Sequence, residues 1–185
     1  MINAMSFHLE TSRLILRPFR ESDLDSFLAY RNDPEVAKYQ GWDIPYPPRK
    51  AYEFISLMEM SGPNEHGEWY QVAVELKSSG ELIGDVAFCT MVHDEKQALM
   101  GYSLARPYWR KGYAFEATGR LLEYLFEERH LHRVVAECDV ENIASWHLLE
   151  KLGFRREAQL VENIFIKGSY GSEYHYALLE REWRK

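Results

Sequence analysis

Residues 106–117 read RPYWRKGYAFEA. Arg106, Arg110 and Lys111 place three cations within six residues, and Gly112 opens a helical pattern that runs to Arg129 through Ala117, Leu121, Tyr124 and Leu125. The free amides of a first helical turn, with a dipole worth roughly half a positive charge, attract an anion, and glycine lets the backbone approach it closely. The spacing therefore predicts an anion cradle where a strand gives way to a helix. A plainer reading makes Gly112 a turn residue and leaves the cations solvated, and the loop alone does not choose between them. With one glycine and no following Lys-Ser/Thr pair, it is neither a dinucleotide fingerprint nor a nucleotide-triphosphate loop.

Upstream of this loop, Trp69 to Leu76, Glu81 to Val92 and Ala98 to Ala105 are strand-like runs joined by KSSG and HDEK, short enough for antiparallel hairpins. Leu9 to Pro18 alternates like a strand, and Ser22 caps a helix of about ten residues that Asp33 and Pro34 break. The aromatic loop YQGWDIPYPP (39–48) precedes a helix over Arg49 to Met60, which SGPNEHG closes. Downstream come a strand at Arg133 to Cys138, a helix begun by DVENIAS and ended at Gly153, and a closing hairpin, Arg156 to Ile166 and Glu173 to Leu179, around GSYG. Nothing from Leu9 to Trp183 marks a domain boundary, so the reading is one mixed α/β domain over residues 1–185, with a flexible start over 1–8.

Composition narrows the function classes. The 185 residues carry 22 Lys plus Arg against 29 Asp plus Glu, a net charge of −7, which disfavours nucleic acid as a partner. The apolar runs are short and no membrane segment is expected. Cys89 and Cys138 form neither a disulfide framework nor a zinc pattern, and His130 with His132 lacks a third ligand, so no metal is expected and a reducing cytoplasm is the natural location.

The second informative stretch is NIASWHLLEKLGF (142–154), where Asn142 is suited to cap a helix and Ser145 follows one turn later. In that order and about thirty residues apart, WRKGYAFEA and NIASWHLLEKLGF resemble the GNAT superfamily of acyl-CoA-dependent N-acetyltransferases. LETSRLILRPFRESDLD at the start and HYALLEREW at the end resemble the branch that holds the ribosomal-protein N-terminal acetyltransferases.

The resemblance implies an α/β fold with a mostly antiparallel seven-stranded sheet, helices on both faces and a splayed central strand pair, here Ala98 to Ala105 and Arg133 to Cys138. It implies acetyl-CoA as cosubstrate, its diphosphate on the amides of Arg110, Lys111, Gly112, Tyr113 and Ala114, and its thioester carbonyl near Tyr102, Ser103 and Leu104. Asn142 would touch the pantetheine and Ser145 would lie near the sulfur. Many relatives place an acidic tyrosine four residues before the Gly-Phe pair; here that position is Leu149, so proton donation passes to Ser145 or to water.

Glu162 resembles the branch glutamate suggested as base, and Leu99 and Met100 stand where another carboxylate is common. Glu116 reads as a helix-start charge. Tyr39, Trp42 and Tyr46 either wall an acceptor pocket or pack on the first helix, and Cys138 lies close to the implied cleft. The expected partner is an amine, as a protein N-terminus or a small molecule, and a homodimer is allowed. The competing reading is a non-catalytic acyl-CoA-binding or sensing module, motivated by Leu149 and Leu99.

Overall fold

The computed structural model describes residues 7 to 63 and 66 to 183. Its strands are β1 (Leu9–Glu10), β2 (Leu14–Arg17), β3 (Tyr70–Leu76), β4 (Glu81–Met91), β5 (Asp94–Leu104), β6 (Arg133–Asp139), β7 (Arg155–Ile166) and β8 (Ser169–Leu179). The helices are α1 (Leu24–Arg31), α2 (Pro34–Ala37), α3 (Pro48–Met60), α4 (Tyr113–Glu123), α5 (Ile143–Lys151) and α6 (Glu180–Trp183). One sheet takes the order β1-β2-β3-β4-β5-β6-β8-β7, antiparallel except for the β5–β6 pair. The sheet has eight strands rather than the expected seven, because a turn at residues 11–13 splits the first run into β1 and β2.

Period-two alternation builds two apolar layers on opposite faces of this sheet. Tyr70, Val72 and Val74 face Ala117, Leu121 and Leu122 of α4, and the same cluster takes in Leu149 of α5. Ala73, between Val72 and Val74 in β3, faces the other way and joins Leu82, Phe27 of α1 and Ala51, Ile55 and Met58 of α3. Phe7 belongs to the first layer, edge-on to Tyr70 at 5.4 Å and to Tyr124 at 5.0 Å. The expected flexible start thus does not extend to Phe7; residues 1–6 lie outside the described chain, as do Asn64 and Glu65 of the expected turn after α3.

Polar ties fix the layers together. Arg17, 3% exposed, reaches both oxygens of Asp23 at 2.7 and 2.8 Å and Glu75 at 2.6 Å, joining β2, β3 and the turn before α1. The Tyr30 hydroxyl donates to Asp85 at 2.5 Å, and the Arg31 guanidinium lies 3.8 Å from the Trp42 ring. Asp33 caps α2 by accepting the Glu35 amide, so the expected break is also a new start.

A close approach accounts for Gly84. A Cβ there would lie 2.2 Å from the Ser103 carbonyl oxygen, so only glycine lets β4 run this near β5.

Candidate active site

Strands β5 and β6 stay paired only from Gln97↔Arg133 to Met100↔Ala136. Beyond that point β5 continues on β4, through Gly101↔Ala87 to Leu104↔Gly84, while β6 continues on β8, through Glu137↔His175 to Asp139↔Glu173. Each strand is held by its outer neighbour, so the two diverge, and the β6-facing edge of Gly101 to Leu104 has no strand partner. Between them opens a cleft of about 120 Å³, lined among others by Met100, Tyr102, Cys138, Asn142, Ser145 and Leu149. The expected splay is present, at the expected strand pair.

The loop at the end of β5 is built as a cradle. Trp109 anchors it by donating its indole N–H to the Leu104 carbonyl at 2.7 Å. Arg110 (φ 59°) and Gly112 (φ 81°) both adopt left-handed backbone, and the Glu116 amide donates to the Gly112 carbonyl as α4 begins. Among the described residues, none accepts a hydrogen bond from the amides of Arg110 to Ala114. Five donors at the positive end of an eleven-residue helix suit a diphosphate.

What holds this loop was not visible in its own sequence. Arg13, from the turn between β1 and β2, donates to the Lys111 carbonyl at 3.0 Å, lies 4.4 Å over the Tyr113 ring and pairs with Glu116 at 2.6 Å. Glu116 also accepts from the Thr11 and Ser12 hydroxyls and the Arg13 amide. Burial would raise its carboxyl, but these donors outweigh it and hold the group below the usual range. Its helix-start position is as expected, and its partner is the β1–β2 turn.

Asn142 caps α5, accepting the Ser145 amide at 3.2 Å, and also lines the cleft. The Ser145 hydroxyl lies 2.8 Å from the Tyr102 hydroxyl, which crosses from β5. Sequence reading placed Tyr102 here for its backbone and missed its phenol. Cys138 is buried beside them, and burial pushes its thiol up to about 11, leaving a neutral small side chain rather than a nucleophile. Leu149 is fully buried at the cleft floor.

The remaining expected residues divide. Ser103 and Leu104 are buried at the end of β5. Tyr39 and Gln40 wall the cleft, and the Tyr39 hydroxyl donates to the Glu141 carbonyl at 3.2 Å. Trp42 and Tyr46 pack instead on α1, through Arg31 and Phe27. Glu162 is outside the cleft lining, exposed on a bulge of β7 with φ 50°. Its amide donates to the Ser172 hydroxyl, and the Ser172 carbonyl in turn accepts from Val140, which ties the bulge to the turn after β6. Among the described residues no His, Cys, Asp and Glu group could hold a metal ion, and no helix is long and apolar enough to cross a membrane.

Comparison with known proteins agrees with this geometry. Residues 13–155 match the family model of the acetyltransferase (GNAT) domain. The chain is 32% identical over 176 residues to an uncharacterized N-acetyltransferase of Bacillus subtilis, covering 95% of this chain and 99% of that one. A GNAT-family acetyltransferase structure from Bacillus anthracis superposes with TM-score 0.85 at 30% identity, over 95% of this chain and 100% of the other. The structure of spermidine N-acetyltransferase from Vibrio cholerae in complex with CoA and spermine superposes with TM-score 0.80 at 25% identity, over 95% and 100%. With the splayed strands, the free amides before α4 and a matching family model spanning most of its length, this chain belongs to the GNAT family and is an acyl-CoA-dependent N-acetyltransferase.

Proposed function

We propose that the chain transfers the acetyl group of acetyl-CoA to a primary or N-terminal α-amino group by direct attack in a ternary complex. The observation that carries this reading is the run of unpaired amides at Arg110 to Ala114, in the loop that leaves β5, with Ser145 lining the cleft that opens where β5 parts from β6. Those amides donate to the diphosphate, and Arg110, Lys111 and Arg13 add positive charge in a chain of net −7. The open edge of β5 at Tyr102, Ser103 and Leu104 offers main-chain groups to the pantetheine and to the thioester carbonyl, an oxyanion-type contact. Asn142, which lines the cleft, would contact the pantetheine in this reading.

The bound thioester supplies an activated acyl carbon. The amine lone pair forms the C–N bond as the C–S bond breaks with its electron pair on sulfur, and the Ser145 O–H donates to that charge. The amine proton goes to Glu162, at the bulge tied to the Val140 turn, or to water. An α-amine titrates near 8 and an alkyl amine near 10.4, so a terminal amine asks less of the base. The Vibrio cholerae relative, whose structure holds CoA and spermine, supports a polyamine as one member of the acceptor class. Cys89 and Cys138 are free thiols, in keeping with work in the cytoplasm.

The test is acetyl-CoA with a panel of N-terminal peptides, polyamines, aminoglycosides and amino acids, read as release of free thiol. Turnover with at least one amine is expected, with Ser145→Ala lowering kcat and Glu162→Gln changing the pH profile. Coenzyme A binding with no amine ever turned over would replace this reading with a pure acyl-CoA binder.

A further inference from the structure

The family's usual acidic tyrosine position is filled by Leu149, a fully buried aliphatic side chain on the cleft floor. A phenol reaches the same region from the opposite wall. The Tyr102 hydroxyl, at the unpaired end of β5, lies 2.8 Å from Ser145 Oγ and 3.2 Å from the Ser145 carbonyl oxygen. This bond spans the splay and joins β5 to the first turn of α5.

Resting on the transferase reading above, we propose that Tyr102 is a positioning residue for thiolate departure: its O–H donates to Ser145 Oγ and thereby directs the serine's own proton into the cleft, toward sulfur. A serine hydroxyl free to rotate has several acceptors within reach, the Tyr102 oxygen and the Cys138 sulfur among them. Once its oxygen lone pair is taken by a donor, the remaining O–H is oriented and polarised, and a hydrogen bond to a charged sulfur gains most from that.

Burial raises the Tyr102 phenol well above its ordinary range, so it keeps its proton throughout the reaction and acts by donating a hydrogen bond. No proton leaves Tyr102: the electron pair of the broken C–S bond stays on sulfur, Ser145 holds that charge, and solvent supplies the thiol proton after release. The tyrosine missing from α5 is thus replaced in effect, though not in place, by one from β5.

The experiment is steady-state kinetics on Tyr102→Phe, Ser145→Ala and the double variant, with coenzyme A affinity measured by calorimetry. Tyr102→Phe is expected to lower kcat about tenfold or more, with the KM for acetyl-CoA held within about twofold. Because both residues act through one hydroxyl, the double variant should lose no more than Ser145→Ala alone. Tyr102→Leu serves as a second variant without the hydroxyl should Phe fail to fold, and it should show the same kcat loss. Unchanged kcat in Tyr102→Phe, or a double-variant loss equal to the product of the single losses, overturns the proposal. A wild-type chain that turns over no amine overturns the transferase reading, and this inference with it.

Discussion

The Arg13 guanidinium meets the Glu116 carboxylate at 2.6 Å, bridging 103 positions of chain between the β1–β2 turn and the first turn of α4. Arg13 also holds the Lys111 carbonyl, so one side chain ties the edge of the sheet to the loop with the free amides. The amides of Arg110 to Ala114 are in this way set before any anion arrives.

Glu116→Gln should therefore weaken coenzyme A binding although the Glu116 carboxylate is engaged by Thr11, Ser12 and Arg13 of the β1–β2 turn. Loss of the charge-assisted bonds to Thr11 and Arg13 costs about 1 kcal/mol, or roughly fivefold in affinity. Arg13→Lys should act in the same direction, since an ammonium cannot reach Glu116 and the Lys111 carbonyl as a fork does. Calorimetric titration checks both, and wild-type affinity in the pair would show the loop to be self-supporting.

Gly112→Glu introduces a carboxylate where diphosphate is expected and a Cβ 3.3 Å from Arg13 Nη2, at a φ of 81° that side chains rarely adopt. Affinity for coenzyme A should fall at least about tenfold, or about 1.4 kcal/mol. Gly112→Ala, with the strain and without the charge, should fall between the two, and the same titration ranks them.

Removal of the buried Arg17 takes from Asp23 its guanidinium partner and leaves Glu75 only the more distant Arg20, at 3.4 Å. Arg17→Met leaves Asp23 and Glu75 facing one another without their shared cation, and a loss of about 3–5 kcal/mol is expected. Urea unfolding followed by circular dichroism measures it. A loss under 1 kcal/mol on the same order-of-magnitude scale would mean that water replaces the guanidinium.

Acid stability should carry the signature of Glu157. Hydrogen bonds from Arg133 and Arg155 hold its carboxyl at about 2, against an ordinary 4.5. The folded chain keeps this charge where the unfolded chain has taken up a proton, so its contribution is complete above 4.5 and is lost as pH falls toward 2. The group is partly exposed, and screening limits the effect to about 0.5–1 kcal/mol. Glu157→Gln should flatten the dependence of melting temperature on pH in that window and leave the slope above pH 5 unchanged.

Local chemistry made much of the fold legible. The glycine and cations of RPYWRKGYAFEA pointed to the loop before α4, and Asn142 to the start of α5. Turns were harder to place, because pairing partners set their register. HDEK reads as a turn, yet Met91 pairs with Asp94 and leaves only Val92 and His93 outside the ladder. GSYG reads likewise, yet the reversal falls on Lys167 and Gly168, both with positive φ, as a tight two-residue hairpin requires. The helical pattern to Arg129 concealed a wider turn over Tyr124–Glu128, closed by the Arg129 amide on the Tyr124 carbonyl. Contacts such as Arg13 with Glu116, or Tyr102 with Ser145, carry no local signal, since each joins segments that only the finished sheet brings together.

Because Ala73 and its neighbours Val72 and Val74 face opposite ways, the aromatic loop after α2 is rooted in one oily layer and the loop before α4 in the other. Paired substitutions, one from each layer, should then combine additively to within about 0.3–0.5 kcal/mol. A chain partitioned like this can change what lies beneath its aromatic loop while the turn that opens α4 keeps its own footing.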